Sequence, residues 1–425
     1  MTATDVLVGD VSTVSAKRAY RLPIVLGAFG LLSLVVFGLL GPAGATTTFG
    51  LSTSTDFVTF DPVELPTRTT AVVLSVVALL LAAYSYLRVR QGLKVGGWVT
   101  GLFGVLWVLT FLVWAVADKS TSLVSLLQGS LLLAVPLAFG ALGGLLNERA
   151  GVVNIAIEGQ LLTGAFGAAV LGSVTGNAYL GLVAAPVAGL LIGSMLALFT
   201  VKYSVNQIIV GVVLNVFAVG LTSFLFSSVL KENAATLNSP PRLPSLPIPL
   251  LSEIPILGPV LFRQSIIVYL LYIAVAVIAV ALFRTRWGLR VRAVGEYPQA
   301  ADTVGINVNK MRWGNVLLGS AVAGLGGAFF TLGSVGAFGQ EMTAGKGYIA
   351  LAAMILGRWS PVGALGAALL FGFADKLQQV LGVLETPIPN QFMLMLPYIV
   401  TIFAVAGLVG RVRGPAAAGE PYVKG

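Results

Sequence analysis

Uninterrupted apolar runs of about 20 residues recur along this chain, and no other feature so limits what it can fold into. Each run matches the length that a helix needs to cross the ~30 Å hydrocarbon core of a bilayer. A soluble core cannot absorb so much apolar sequence: 57% of the 425 residues are apolar and 10% are charged. Ordinary soluble domains are roughly 25% charged. A transmembrane β-barrel would alternate polar and apolar residues over short segments instead. The expected fold class is therefore an all-α polytopic membrane protein.

Spans are expected at about 23–41, 70–87, 98–116, 123–146, 161–174, 179–200, 207–230, 265–283, 313–336 and 392–410. Two further segments, 347–357 and 361–374, are interrupted by Arg358-Trp359-Ser360-Pro361. Each is too short for an ordinary crossing, so they read as a re-entrant pair or as tilted short spans. Ten to twelve crossings follow. The first run is longer than the apolar region of a signal peptide. Ala43-Gly44-Ala45 imitates a cleavage site, but that length favours a retained span.

Charge sets the orientation. Arg284, Arg286, Arg290, Arg292, Lys310 and Arg312 outnumber Glu296 and Asp302 in the loop 284–312, which places it in the cytoplasm. Arg88, Arg90 and Lys94 mark a second inside loop. The Thr- and Ser-rich stretch 42–69, with Asp56, Asp61 and Glu64, suits the outside. So does the Pro-rich stretch 231–263, whose prolines forbid a regular helix. Lys17, Arg18 and Arg21 precede the first span, and Arg411, Arg413 and Lys424 follow the last, which puts both termini inside. Basic inner loops account for the net charge of +9 without a nucleic-acid partner.

The chain has no cysteine and no histidine. That removes disulfides, thiolate nucleophiles and the commonest general base and metal ligand. No catalytic residue, metal site or cofactor is expected. The stretch GQEMTAGKGY lacks the Walker A spacing, because Gln340 stands where the first glycine is needed and Gly347 follows Lys346. Energy from ATP would have to come from a partner chain.

The polar residues that stand inside apolar sequence are the candidate site. NERAGVVNIAIEGQ, residues 147–160, separates two hydrophobic runs. Glu148 and Arg149 fall at a span end, where charges mark the cytoplasmic surface. Asn154 and Glu158 are four apart and share a face if helical, with Gln160 close behind and Gly151 and Gly159 flanking them. Glycine is where a helix can break, and broken helices at membrane depth line cavities or pack in protein. Such breaks mark substrate sites in transporters, but Glu158 could equally cap or bridge helices. Asn206, Gln207 and Asn215 form a second polar group, suited to lining a path for an uncharged solute or to bonding between helices. A third, Asp375, Lys376 and Gln378, reads as ion-paired or interfacial, at the outer surface.

These stretches resemble the permease subunits of bacterial ABC importers in the branched-chain amino acid and ribose permease superfamily, most closely the nucleoside, simple-sugar-type permeases. LGGLLNERAGVVNIAIEGQLLTGAFGA, VNQIIVGVVLN, RAVGEYPQAADTVGIN and EMTAGKGYIALAAMILGRWSPVGALGAALLFGFADKLQ carry the resemblance, which runs over about 123–412. It implies a type II-like ABC importer permease in the bacterial plasma membrane. It further implies a cytoplasmic ABC ATPase subunit, a second permease subunit forming a homo- or heterodimer, and an extracellular substrate-binding lipoprotein that delivers a small-molecule solute. The solute class, nucleosides, rests on the resemblance alone. Residues Arg292, Glu296, Ala300, Ala301 and Gly305 match the family's ATPase-coupling element, where small alanines would let a short helix sit deep in a cleft and Gly305 would end it. Asn154 to Gln160 matches its polar helix break, and Asn154, Glu158, Gln160, Asn206, Gln207 and Asn215 are the expected pathway residues.

The layout is then a tail at 1–22, extra N-terminal spans at 23–120, a permease core at 121–412 and a second tail at 413–425. The extra spans exceed what the superfamily core needs. Simple sugars are the alternative solute. An ion-coupled carrier would need a carboxylate at membrane depth, with Glu158 the first candidate and Asp375 the second.

Overall fold

The computed structural model describes residues 20–52, 59–384, 391–392, 395 and 413–424. Nine helices among the described residues are long and apolar enough to cross a membrane, each at an expected span. They are α1 (Arg21–Leu39), α2 (Thr67–Arg90), α3 (Gly97–Ala115), α4 (Leu123–Arg149), α5 (Ile157–Thr175), α6 (Ala178–Lys202), α7 (Gln207–Leu230), α8 (Ile266–Arg284) and α11 (Val308–Val335). The short α9 (Arg286–Glu296) and α10 (Pro298–Thr303) lie between α8 and α11. They are followed after α11 by α12 (Lys346–Leu356) and α13 (Pro361–Val383). The span expected at 392–410 falls almost wholly outside the described residues. The chain is multi-pass and all-α in its spans.

The chain forms two compact units: Met1–Val124 with Val380–Met393, and Ser125–Gln379 with Leu394–Gly425. In the first, α1, α2 and α3 pack around Leu26, Ala78, Ala82 and Phe103. The Ser33 and Ser75 hydroxyls share a buried 2.8 Å hydrogen bond between α1 and α2. Three short strands, β1 (Thr46–Gly50), β2 (Val63–Pro66) and β3 (Ser120–Ser122), form a sheet of order β2-β1-β3.

The second unit is built around α4, whose apolar stretch is 83% buried, and around α5 and α11, each 67% buried. Glycine sets the spacing of its helices. A Cβ on Gly164 of α5 would come within 2.8 Å of the Gly324 Cα on α11, and one on Gly189 of α6 would meet the same Cα at 2.8 Å. Backbones this close admit no side chain, which is how membrane helices gain dispersion energy without a hydrophobic driving force. The Pro-rich stretch forms a two-stranded pair, β4 (Ser245–Pro247) with β5 (Arg263–Ser265), and short helical turns.

Two expectations change here. The segment expected to be short at 361–374 continues to Val383 as α13, a helix of 23 residues. The polar group that suggested its end is absorbed within the helix. Asp375 pairs with Lys346 at 2.7 Å rather than with its neighbour Lys376, and both partners are largely shielded. Lys376 lays its stem over Gly129, where a Cβ would meet its Cδ at 2.7 Å. Asp375 is therefore ion-paired as one of the two expectations had it, but to Lys346 of α12 rather than to Lys376, whose stem is packed instead.

Candidate functional site

α4 ends at Arg149 and α5 begins at Ile157, with non-helical backbone between them. The Ala150 and Val152 amides both donate to the Asn147 carbonyl, at 3.1 and 3.0 Å, and so close the end of α4. Gly151 makes the turn at φ +87°, and a Cβ there would lie 2.8 Å from the Arg312 Nη2. Both facts require glycine.

The charged residues around this break hold the two ends of α12. The Glu158 carboxylate, buried in the first turn of α5, accepts three hydrogen bonds from the loop that enters α12. The Thr343 hydroxyl donates at 2.6 Å, and the Gly345 and Gly347 amides at 2.8 and 2.6 Å. A negative group at a helix N-terminus answers both the free amides and the dipole. Past the other end of α12, the Arg149 guanidinium donates twice to the Trp359 carbonyl, from Nε at 3.1 Å and Nη2 at 2.8 Å. The Trp359 indole donates to Glu148 Oε2 at 2.6 Å. The backbone on both sides of α12 is strained: Glu341 and Ala344 before it, and Arg358 and Trp359 after it, have φ between +46° and +57°. Such residues cost on the order of 1–3 kcal/mol each and persist where neighbours over-determine them. Glu158 fixes the first side, and Glu148 with Arg149 fixes the second.

Neither Glu148 nor Arg149 is a solvated charge: Glu148 is 7% exposed and Arg149 is half-buried. Asn154 and Glu158 share no helical face, because Asn154 precedes the start of α5. Asn154 instead exchanges amide hydrogen bonds with Gln160, at 2.9 and 3.3 Å, and Gln160 also donates to Ser320 of α11 at 2.9 Å. Gln207 accepts from the Val153 amide at 2.6 Å. Asn215 accepts from the Gly159 amide and donates to the Ile155 carbonyl, each at 2.8 Å, and donates to the Tyr348 hydroxyl at 3.1 Å. The structure therefore brings Asn154, Glu158, Gln160, Gln207 and Asn215 together around the break. Asn206 stands apart: it is exposed and caps α7 by accepting from the Ile208 and Ile209 amides.

The basic loop folds as α9 and α10. Thr285 caps α9 by accepting from the Gly288 amide at 3.1 Å, Pro298 opens α10, and Gly305 at φ +83° closes it. Arg292 and Arg149 both lie over the Phe283 ring, at 5.3 and 5.5 Å. Val291 and Val294 of α9 turn inward, as does Ala301 of α10, which is 3% exposed against Val294, Val308 and Tyr422. Ala301 is thus filled in by this chain's own side chains. The outward residues of α10 and its flanks are Tyr297, 63% exposed, Ala300 and Val304, 75% exposed. Tyr297 and Val304 were missed in the sequence, although a spacing of three and then four was readable. Packing around the ring, and then Asp302, push the Tyr422 phenol up from its ordinary value.

The last turn of α9 touches the break directly. A Cβ on Gly295 would lie 2.9 Å from the Arg149 carbonyl carbon and 3.3 Å from the Gly151 amide nitrogen. The turn that carries Glu148 and Arg149 toward Trp359 is thus in backbone contact with α9.

Residues 126–405 match the family described as the branched-chain amino acid transport system permease component. Among similar proteins is the guanosine ABC transporter permease protein NupQ of Bacillus subtilis, 41% identical over 71% of this chain and 97% of that protein. The nucleoside ABC transporter permease protein NupC of Lactococcus lactis is 39% identical over 69% of this chain and 95% of its own length. A putative glucose ABC transporter permease, TsgC13 of Haloferax volcanii, is 36% identical over 60% of this chain and 76% of its own. No solved structure matches the chain.

Proposed function

The chain belongs to the family of branched-chain amino acid transport permease components, and from that premise we propose that it imports nucleosides across the plasma membrane, driven by a separate cytoplasmic ABC ATPase. Similarity to the guanosine and nucleoside permeases supports the solute class. A second permease subunit completes the pathway, and an extracellular lipoprotein delivers the solute. Both termini and the loop 284–312 face the cytoplasm, consistent with its excess of Arg and Lys.

One observation carries the mechanism: the break between α4 and α5 grips α12 at both ends and is itself in backbone contact with α9. α9 and α10 form the coupling element, with Arg292 and Glu296 on α9, and Ala300, Ala301 and Gly305 on or beside α10. Tyr297, Ala300 and Val304 form its outward face toward the ATPase. ATP binding moves this element, and the contact of Gly295 with the 149–151 turn passes the movement to the break. α12 then shifts as one piece, because Glu158 and Arg149 hold it by both ends. Asn154, Gln160, Gln207 and Asn215 set the wall of the pathway by fixing the break, and Asn206 starts α7 beside it. The ATPase drives the switch only through differential affinity for the two states.

The test is uptake of radiolabelled guanosine and of glucose in cells whose partner ATPase is intact or inactivated. Guanosine uptake that is lost with ATP hydrolysis supports the reading. Glucose uptake that is lost instead assigns a simple sugar, the reading favoured by the Haloferax relative. Uptake that continues and follows an ion gradient refutes both. The three donors already on Glu158 argue against its serving as an exchangeable ion site.

A further inference from the structure

We propose that segment 413–424 is a strap that holds the coupling element in register with the α4–α5 break, with Tyr422 as its positioning residue. This rests on the coupling reading of α9 and α10. The segment has no regular secondary structure, yet it is anchored at successive points along its length. Gly414 lies against the Trp359 indole, where a Cβ would meet Cζ2 at 2.9 Å. The Ala417 amide donates to the Gly295 carbonyl at 2.9 Å, and the Ala416 amide to Glu296 Oε2 at 3.3 Å. The Ala417 carbonyl is 3.3 Å from where a Gly151 Cβ would stand. Arg312 donates to the Glu420 carbonyl at 2.7 Å. Tyr422, 9% exposed, closes the hydrophobic cluster of Val294, Ala301 and Val308. Lys424 ends the run 3.8 Å from Asp302 of α10.

The order of these contacts is what makes the segment a strap. It passes from the turn beyond α12 to the last turn of α9, where Ala417 meets α9 and the break together, then by Arg312 of α11 and onto α10. Those are the parts through which movement is transmitted. Backbone hydrogen bonds at the α9 end fix its height, and the Tyr422 ring fixes the tilt of α10 against α9. Arg312, 2% exposed, makes its one described hydrogen bond to this segment. A buried guanidinium that relies on a carbonyl from another segment ties that segment down, because releasing it strands a buried charged donor without its hydrogen bond.

Without the ring, α9 and α10 should remain folded but lose their fixed angle to the break. ATP would then be hydrolysed without a matching movement of α12. The decisive quantity is solute imported per ATP hydrolysed, measured on the complete transporter with its ATPase in lipid vesicles. Tyr422→Ala is expected to lower this ratio about fivefold, within the usual range for residues that modulate coupling. The ATPase should remain bound, and Tyr422→Phe, which keeps the ring, should restore the ratio. A loss of stability alone would lower the amount of complex and leave the ratio unchanged. If Tyr422→Ala does not accumulate in the membrane, Tyr422→Leu takes its place with the same expected direction. A wild-type ratio in the alanine or leucine variant overturns the proposal. Ala300→Trp on the outward face separates the two readings. If it uncouples while Tyr422→Ala does not, the strap fails and the coupling element stands. If neither uncouples, the coupling reading fails and takes the strap with it.

Discussion

The three helices of the first unit and the central helices of the second are all apolar enough to cross a membrane but differ in what surrounds them. The apolar stretches of α1, α2 and α3 are 33%, 28% and 33% buried, against 83% for α4. Glycine shows the same contrast. Gly97, Gly101 and Gly104 of α3 have open space where a side chain would go, whereas Gly143, Gly164 and Gly324 abut the backbone of another helix. Polar groups follow suit. Buried side-chain bonds between spans in the first unit are hydroxyl contacts such as Ser33 with Ser75. In the second, ionised and amide groups bind across α4, α5, α7, α11 and α12. Apolarity determines that a helix enters the bilayer. Small residues and paired polar groups determine what it packs against there.

Glycine substitutions test this contrast most severely. Gly164→Leu should force α5 away from α11 and cost about 3 kcal/mol or more, abolishing uptake and lowering the amount of protein in the membrane. Gly101→Leu, with nothing within 4 Å of its Cβ position, should leave both at wild-type levels. Equal losses from the two would remove the distinction between the units. Next in size is Glu158→Ala, which strands three donors at the start of α12 and should cost on the order of 3 kcal/mol. The thermal midpoint of the solubilised transporter should fall and uptake should be lost. Glu158→Gln, keeping one acceptor oxygen, should lie between.

Arg149→Lys sharpens the comparison within the clamp. A lysine ammonium is a point charge and cannot repeat the two-donor grip on Trp359, so about 1–2 kcal/mol should be lost. Transport should fall more than the membrane level of the protein does, because the turn beyond α12 is released while its N-terminus stays held. Unchanged transport would mean that the second end of α12 needs no anchor. The smallest effect is expected in the first unit, where Ser33→Ala should cost about 0.6 kcal/mol, the mean for interhelical hydrogen bonds in membranes. A midpoint shift near the limit of measurement, with wild-type uptake, is the outcome that fits.

Nine spans were legible because membrane insertion depends on local apolar length, which a window of sequence contains. The break was legible too, from Gly151 and the density of polar residues after it. What those residues bind was not. Glu158 and Thr343 are 185 positions apart, and Glu148 and Trp359 are 211 apart. Glu148 looked like a surface charge because nothing near it in sequence shows the indole that occupies it. Ala301 looked free to enter a partner's cleft because Tyr422 lies far along the chain. The continuation of α13 through Asp375 was hidden for the same reason, since its neutralising partner is Lys346 on another helix.

The sequence by itself therefore determined the bilayer as solvent, nine of the spans, the gathering of Arg and Lys in the loop 284–312 and the place where a helix must break. These follow from transfer energies and backbone preferences that act residue by residue. Only the tertiary structure decided that the polar groups at the break grip α12, that α9 rests on that break, and that Ala301 faces inward. A buried charge must find a partner, but sequence distance places no limit on where in the fold that partner comes from.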